Sequence, residues 1–197
     1  MKRAPLWFFL LSFALLPGCI SYTTLQTPET LSPGDVSVGV GAAVGEGAMF
    51  EVGGRVGILK NVDAGLKVAL PRLIFADTKV QLTDGPLLVA GDLGFSYMKN
   101  EEEADAISSS SYGLYPMLLV GGKNWYIGGK GIYFWTEGSA DLLGSVTFTG
   151  SGWLGPAAVA GVWLGNEDFK VLLEGNAFFF RGSEPLFLGG VGIQFTF

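Results

Sequence analysis

From Asp35 to Phe197, apolar side chains recur at every second position, and glycine or a polar residue stands between them. A period of two places successive side chains on opposite faces of an extended chain, so this stretch folds as strands with two unlike faces. In DVSVGVGAAV, Val36, Val38, Val40, Ala42 and Val44 share one face, while Ser37, Gly39 and Gly41 share the other. The same parity sets Phe50, Val52, Val56 and Ile58 against Glu51, Gly53, Arg55 and Gly57. It sets Phe169, Val171, Leu173, Ala177 and Phe179 against Lys170, Glu174 and Asn176. Turn signals divide the stretch into ten strands, at about 34–44, 48–59, 63–71, 75–82, 86–98, 111–120, 125–135, 152–164, 168–180 and 186–197. Eight and twelve are the neighbouring even counts. Pro116 falls inside one strand and cannot donate to a ladder, so a bulge or a shifted boundary is expected there.

Every second connection is short: Lys60-Asn61-Val62, Thr83-Asp84-Gly85, Gly121 to Asn124 and Gly165-Asn166-Glu167. Two of the others are long, 99–110 and 136–151. Short turns at one end, longer loops at the other and strands near the ~9–11 residues that cross a bilayer at a tilt predict a closed, antiparallel, up-and-down transmembrane β-barrel. Composition agrees, with charged residues at only 15% and 31 glycines, whereas soluble domains carry about 25% charge. Past the first residues, no apolar run reaches the ~18 residues that a spanning helix needs.

Alternation alone leaves open which face points inward, since a soluble ligand-holding barrel has an oily interior. The positions opposite the apolar face carry Glu51, Arg55, Lys67, Asp77, Lys79, Asp92, Lys130, Lys170 and Glu174. These nine are too few to solubilise an outer wall, but five bases against four acids suit a narrow lumen of paired charges. Trp125, Tyr126, Trp163 and Phe169 beside the short turns read as one interfacial girdle. Phe50, Tyr97, Tyr112, Trp135, Trp153 and Phe179, towards the long loops, read as the other. The expected role is structural, interaction or that of a narrow pore; the alternative is a lipid-anchored soluble barrel with these rings in its core, holding an apolar ligand.

The chain opens with Lys2 and Arg3 followed by PLWFFLLSFALL, residues 5–16, a charged start and an apolar run of secretory-signal length. Leu16-Pro17-Gly18-Cys19 then resembles the lipobox of bacterial lipoproteins, although Pro17 departs from the usual small residue. That resemblance implies cleavage after residue 18 and diacylation of the Cys19 thiol, with Cys19 becoming the first residue of the mature chain. Ile20 in place of Asp implies passage to the outer membrane. Residues 19–34 form an acylated, polar tether to a body of 35–197, entering from the short-turn side. At the other end, Phe187, Val191, Ile193, Phe195 and Phe197 resemble the closing-strand signal of outer-membrane barrels, alternate apolar residues with a terminal aromatic. Together these features resemble the outer-membrane β-barrel lipoproteins of diderm bacteria. The implied partners are outer-membrane lipid and the machineries of barrel assembly and lipoprotein export.

Several chemistries are excluded. The chain has no histidine, the base used by barrel phospholipases, lipid A acyl-modifying enzymes and surface proteases. One cysteine and no histidine make neither a zinc site nor an internal disulfide. No cofactor, metal or catalytic group is expected. A net charge of −6 without a basic cluster argues against nucleic acid. Glu101-Glu102-Glu103-Ala104-Asp105 and the hydroxyl run Ser108 to Ser111 read as solvated loop. Loops 99–110 and 136–151 are where lipopolysaccharide or a surface partner would be met.

Overall fold

The computed structural model describes residues 23–45, 48–70, 73–102, 107–141, 145–180 and 184–197. Its strands are β1 (Val36–Val44), β2 (Ala48–Leu59), β3 (Val62–Leu70), β4 (Leu73–Gln81) and β5 (Leu88–Glu102), then β6 (Ile107–Gly121), β7 (Trp125–Asp141), β8 (Ser145–Gly165), β9 (Phe169–Phe178) and β10 (Leu186–Thr196). Each pairs antiparallel with its sequence neighbours, and β1 pairs with β10 to close the barrel. Ten strands and up-and-down order are as the alternation predicts. The leader and Cys19 lie outside the described residues.

Closure leaves no free edge along the wall. At the seam Val38 faces Phe195, Val40 faces Ile193 and Ala42 faces Val191, so apolar residues stack on the outer face of both strands. The last rung is a reciprocal pair: Val36 N donates to the Phe197 carbonyl at 3.1 Å, and Phe197 N donates to the Val36 carbonyl at 2.8 Å. The terminal aromatic thus ends the closing strand in register.

The turn side is built as expected. Lys60 and Asn61 join β2 to β3, with Asn61 at φ 66°, a left-handed conformation that asparagine tolerates. Between β8 and β9, Asn166 Oδ1 accepts from Phe169 N at 2.8 Å. The other side differs from expectation. Residues 99–102, 107–110 and 136–141 are strand, as is the stretch of 145–151, so the two predicted long loops are long hairpins. Lys99 pairs with Ser110, Ser110 with Glu137 and Glu137 with Thr149. Hydroxyl and charged residues of low strand propensity are carried here by continuation of the ladder, helped by a 2.9 Å Ser111–Thr136 hydroxyl contact.

Pro116 keeps the register of β6, since Leu114↔Tyr133 and Met117↔Lys130 lie in step on either side of it. The ladder to β7 is interrupted at this point and is not bulged. The bulge lies on the far side of β7, where Ile132 faces Gly155 but Tyr133 faces Trp153. Gly155 takes φ 141°, and a Cβ there would collide with the backbone carbonyl of Phe179. Gly155→Val is expected to lower the urea midpoint of the refolded barrel in detergent by the equivalent of about 1–3 kcal/mol. An unchanged midpoint would contradict a required bulge.

Candidate functional site

The outer wall decides what kind of barrel this is. Val38, Val40, Phe50, Val52, Leu66, Leu93, Ile127, Val162, Leu173 and Phe187 are all exposed on it, Phe187 at 70%. The charged residues share the opposite parity. A soluble ligand-holding barrel needs the reverse arrangement, so the alternative expectation is overturned by this face. The wall is that of a membrane-spanning barrel.

No protein-family model matches the sequence, and no curated protein matches it. Among solved structures it is similar to the outer-membrane protease OmpT of Escherichia coli, at 13% identity over 87% of this chain and 100% of that one, with a TM-score of 0.45. It is also similar to the translocator domain of the autotransporter NalP of Neisseria meningitidis, at 13% identity over 97% and 95% of the two chains, with a TM-score of 0.39. The N-terminal barrel domain of Pseudomonas aeruginosa OprF is a third, at 8% identity over 85% and 100%, with a TM-score of 0.36. These are likenesses of strand arrangement.

Inside the wall lies a segment that the alternation does not foretell. Residues 23–34, expected as a tether, run through the lumen as a strap. Their contacts descend in order: Thr23 meets Glu51 and Lys67. Thr24 and Leu25 meet Glu174, and Gln26 meets Asp92. Thr27 and Glu29 meet Lys79, and Leu31 meets Asp63. Asp63 stands at the turn end of β3, whereas Glu51 stands three residues from the hairpin end of β2. At the mouth Gly34, with φ 94°, turns the chain into β1.

The strap makes no ladder, so wall side chains satisfy its backbone. Glu174 is the clearest case. Its Oε1 accepts from Thr24 N at 2.6 Å and from Asn176 Nδ2 at 2.6 Å. Its Oε2 accepts from Leu25 N at 2.8 Å and from the Tyr126 hydroxyl at 2.5 Å. Four donors fill the four lone-pair sites of one carboxylate. Conversely, Lys79 Nζ donates to the carbonyls of Thr27 at 2.8 Å and Glu29 at 2.7 Å, and Lys67 Nζ donates to that of Thr23 at 2.7 Å. Gln81 Oε1 accepts from Thr30 N at 3.0 Å. Pro28 has no donor to satisfy.

Glycine makes the room. At Gly41 a Cβ would occupy the place of the Leu25 side chain, and at Gly57 it would strike the carbonyl of Ser32.

The structure places all nine charges named from parity on the lumen side. Arg55 Nη2 stands 2.5 Å from Asp63 and 2.6 Å from Asp77. Lys67 stands 3.1 Å from Glu51, and Lys79 stands 3.4 Å from Asp63. Lys170 reaches Glu29 at 3.2 Å, and Lys130 stacks over the Phe178 ring at 5.0 Å. Asp63 escapes the sequence reading because it sits at the edge of the 60–62 turn. Its parity with Gly65 and Lys67 is the signal that would have found it. It is fully buried and, among the described residues, evens the lumenal charges of the strands at five against five.

Two girdle assignments are corrected. Tyr126 and Trp163, exposed by 1% and 6%, point into the lumen and pack with Leu119, Val159 and Leu172. Each shares the parity of inward neighbours, Lys130 for Tyr126 and Val159 for Trp163. Trp125 and Phe169 do face outward. On the hairpin side Tyr97, Tyr112 and Trp135 form a run of neighbouring rings, with Tyr112 and Trp135 stacked at 5.3 Å. Phe195 lies outward against Phe169 at 5.2 Å. Above the charged region the lumen holds apolar side chains, Met49, Leu73 and Met98 in one group and Phe75, Tyr115, Ile132, Phe178 and Leu188 in another.

In Glu174→Gln an amide NH2 replaces one carboxylate oxygen, so a donor is expected to stand against either Thr24 N or Leu25 N. Its urea midpoint should fall by about 1.5–3 kcal/mol for each charge-assisted bond lost. Glu29→Gln, at the solvated mouth, should shift it by about 0–1 kcal/mol. Equal effects would show that Glu174 does not grip the strap.

Proposed function

We propose that this chain is a resident β-barrel of the outer membrane of a diderm bacterium, acylated at Cys19. Its lumen is filled by its own N-terminal strap, and it serves a structural or interaction role without catalysis and without an open pore. The observation that carries the reading is the strap, bound along its length by charged wall residues. The cavities beside it are about 80 Å³ and 100 Å³, lined by Glu51, Arg55 and Lys67 in the first and by Asp63, Lys79 and Lys170 in the second. Each has room for a few waters.

Two further points support the reading. Glu51, Asp63, Asp77, Asp92 and Glu174 contact bases or strap residues, which suits a structural role better than acid–base chemistry. The β5–β8 hairpins stand beyond the shorter strands and offer Ser, Thr and ring surfaces to lipopolysaccharide or a surface partner.

In planar bilayers the purified protein is expected to give no stepwise conductance, and steady ohmic channels would overturn the filled lumen. Membranes carrying Cys19→Ser should retain the protein through carbonate extraction, and it should still change gel mobility on boiling. Release by that substitution alone would overturn the spanning reading.

A further inference from the structure

The direction of the strap fixes where the chain ahead of it can go. From Ser32 to Thr23 it climbs nine residues away from the turn-side mouth, past Asp63, Lys79, Asp92 and Glu174 in turn, and reaches the level of Glu51. On the Cys19 acylation reading under Proposed function, three residues lie between Cys19 and Thr23, four Cα steps with a reach of at most roughly 14 Å. Four steps cannot retrace nine. Two cavities beside the strap are about 80 Å³ and 100 Å³, room for waters and not for a second length of chain in either.

The chemistry of the lumen runs the same way. Its turn-side half carries Arg55, Asp63, Asp77, Lys79 and Lys170 and holds the polar stretch from Gln26 to Thr30. Its hairpin-side half carries Met49, Leu73 and Met98, and the residues next in line are Tyr22, Ser21 and Ile20.

We infer that the chain leaves its own barrel by the hairpin-side mouth, so that acyl chains on Cys19 insert in the leaflet facing the hairpins. This reverses the sequence expectation of an anchor on the short-turn side. Membrane barrels carry short turns inside and longer connections outside, so the lipid is that of a surface-facing leaflet. The strap is then a line made fast at both ends: covalently to β1 below and by its acyl chains above.

The test uses Ser21→Lys in the full-length protein, expressed in diderm cells and treated with a membrane-impermeant amine label. Lys99 on the hairpin side and Lys60 and Lys123 on the turn side are exposed lysines that serve as internal standards. Labelling of residue 21 in intact cells to the extent of Lys99 is the expected result. Labelling only after permeabilisation, alongside Lys60 and Lys123, overturns the inference, as does no labelling in either state. Should Ser21→Lys lose the boiling-dependent gel shift, a short epitope between Ser21 and Tyr22 is read with antibody against the same two outcomes. Mass analysis of the N-terminal peptide reports acylation separately, so loss of the lipid reading is distinguishable from a wrong exit.

Discussion

A length of backbone enclosed by a sheet that is already paired on both edges of every strand has no ladder to join. Most polar groups along it must be met by side chains or by the few waters beside it, because an unpaired buried donor or acceptor costs about 1–3 kcal/mol. The charges of this lumen answer that demand. Glu174 takes two amide protons of the strap, Lys79 gives to two of its carbonyls, and Lys67 gives to another. The wall charges left over must then neutralise one another, as Arg55 does between Asp63 and Asp77. Read this way, a polar interior is a set of ligands for a peptide that the protein itself supplies.

The outer face obeys a different requirement. In lipid no water is available to backbone groups, so the wall must be closed and its outward side chains apolar. The two demands meet in every strand, since one residue faces the bilayer and the next faces the strap. Glycine reconciles them where the strap presses closest, at Gly41 and Gly57. The high glycine content that marks the sequence as unusual is in part the space in which the strap lies.

The period of two made the architecture readable: turn signals cut it into ten strands, the scarcity of charge decided which face points inward, and the closing strand at Phe197 follows from its parity. It also found nine lumenal charges, since a charge on the inward parity of a membrane barrel has nowhere else to point. The strap was not readable: Thr, Gln, Pro and Glu between 23 and 34 have no periodicity, and a peptide solvated by side chains looks in sequence like one solvated by water. Tyr126 and Trp163 were misplaced because nearness to a turn was given more weight than parity. The hairpins of β5–β8 were missed for a third reason. Serine, glutamate and lysine have weak strand preference, and it is the neighbouring rungs that hold 99–102 and 136–141 extended.

The seam between β1 and β10 carries a consequence for how the molecule comes to exist. The strap is continuous with β1, and a ring closed beforehand would have to be threaded by a free end. An order in which successive hairpins curl around the N-terminal segment and the β1–β10 rungs form last needs no such threading. The strap can leave sideways only when a line of rungs in the closed wall parts. Persistence of the folded form becomes a matter of barrier height, governed by a single line of hydrogen bonds.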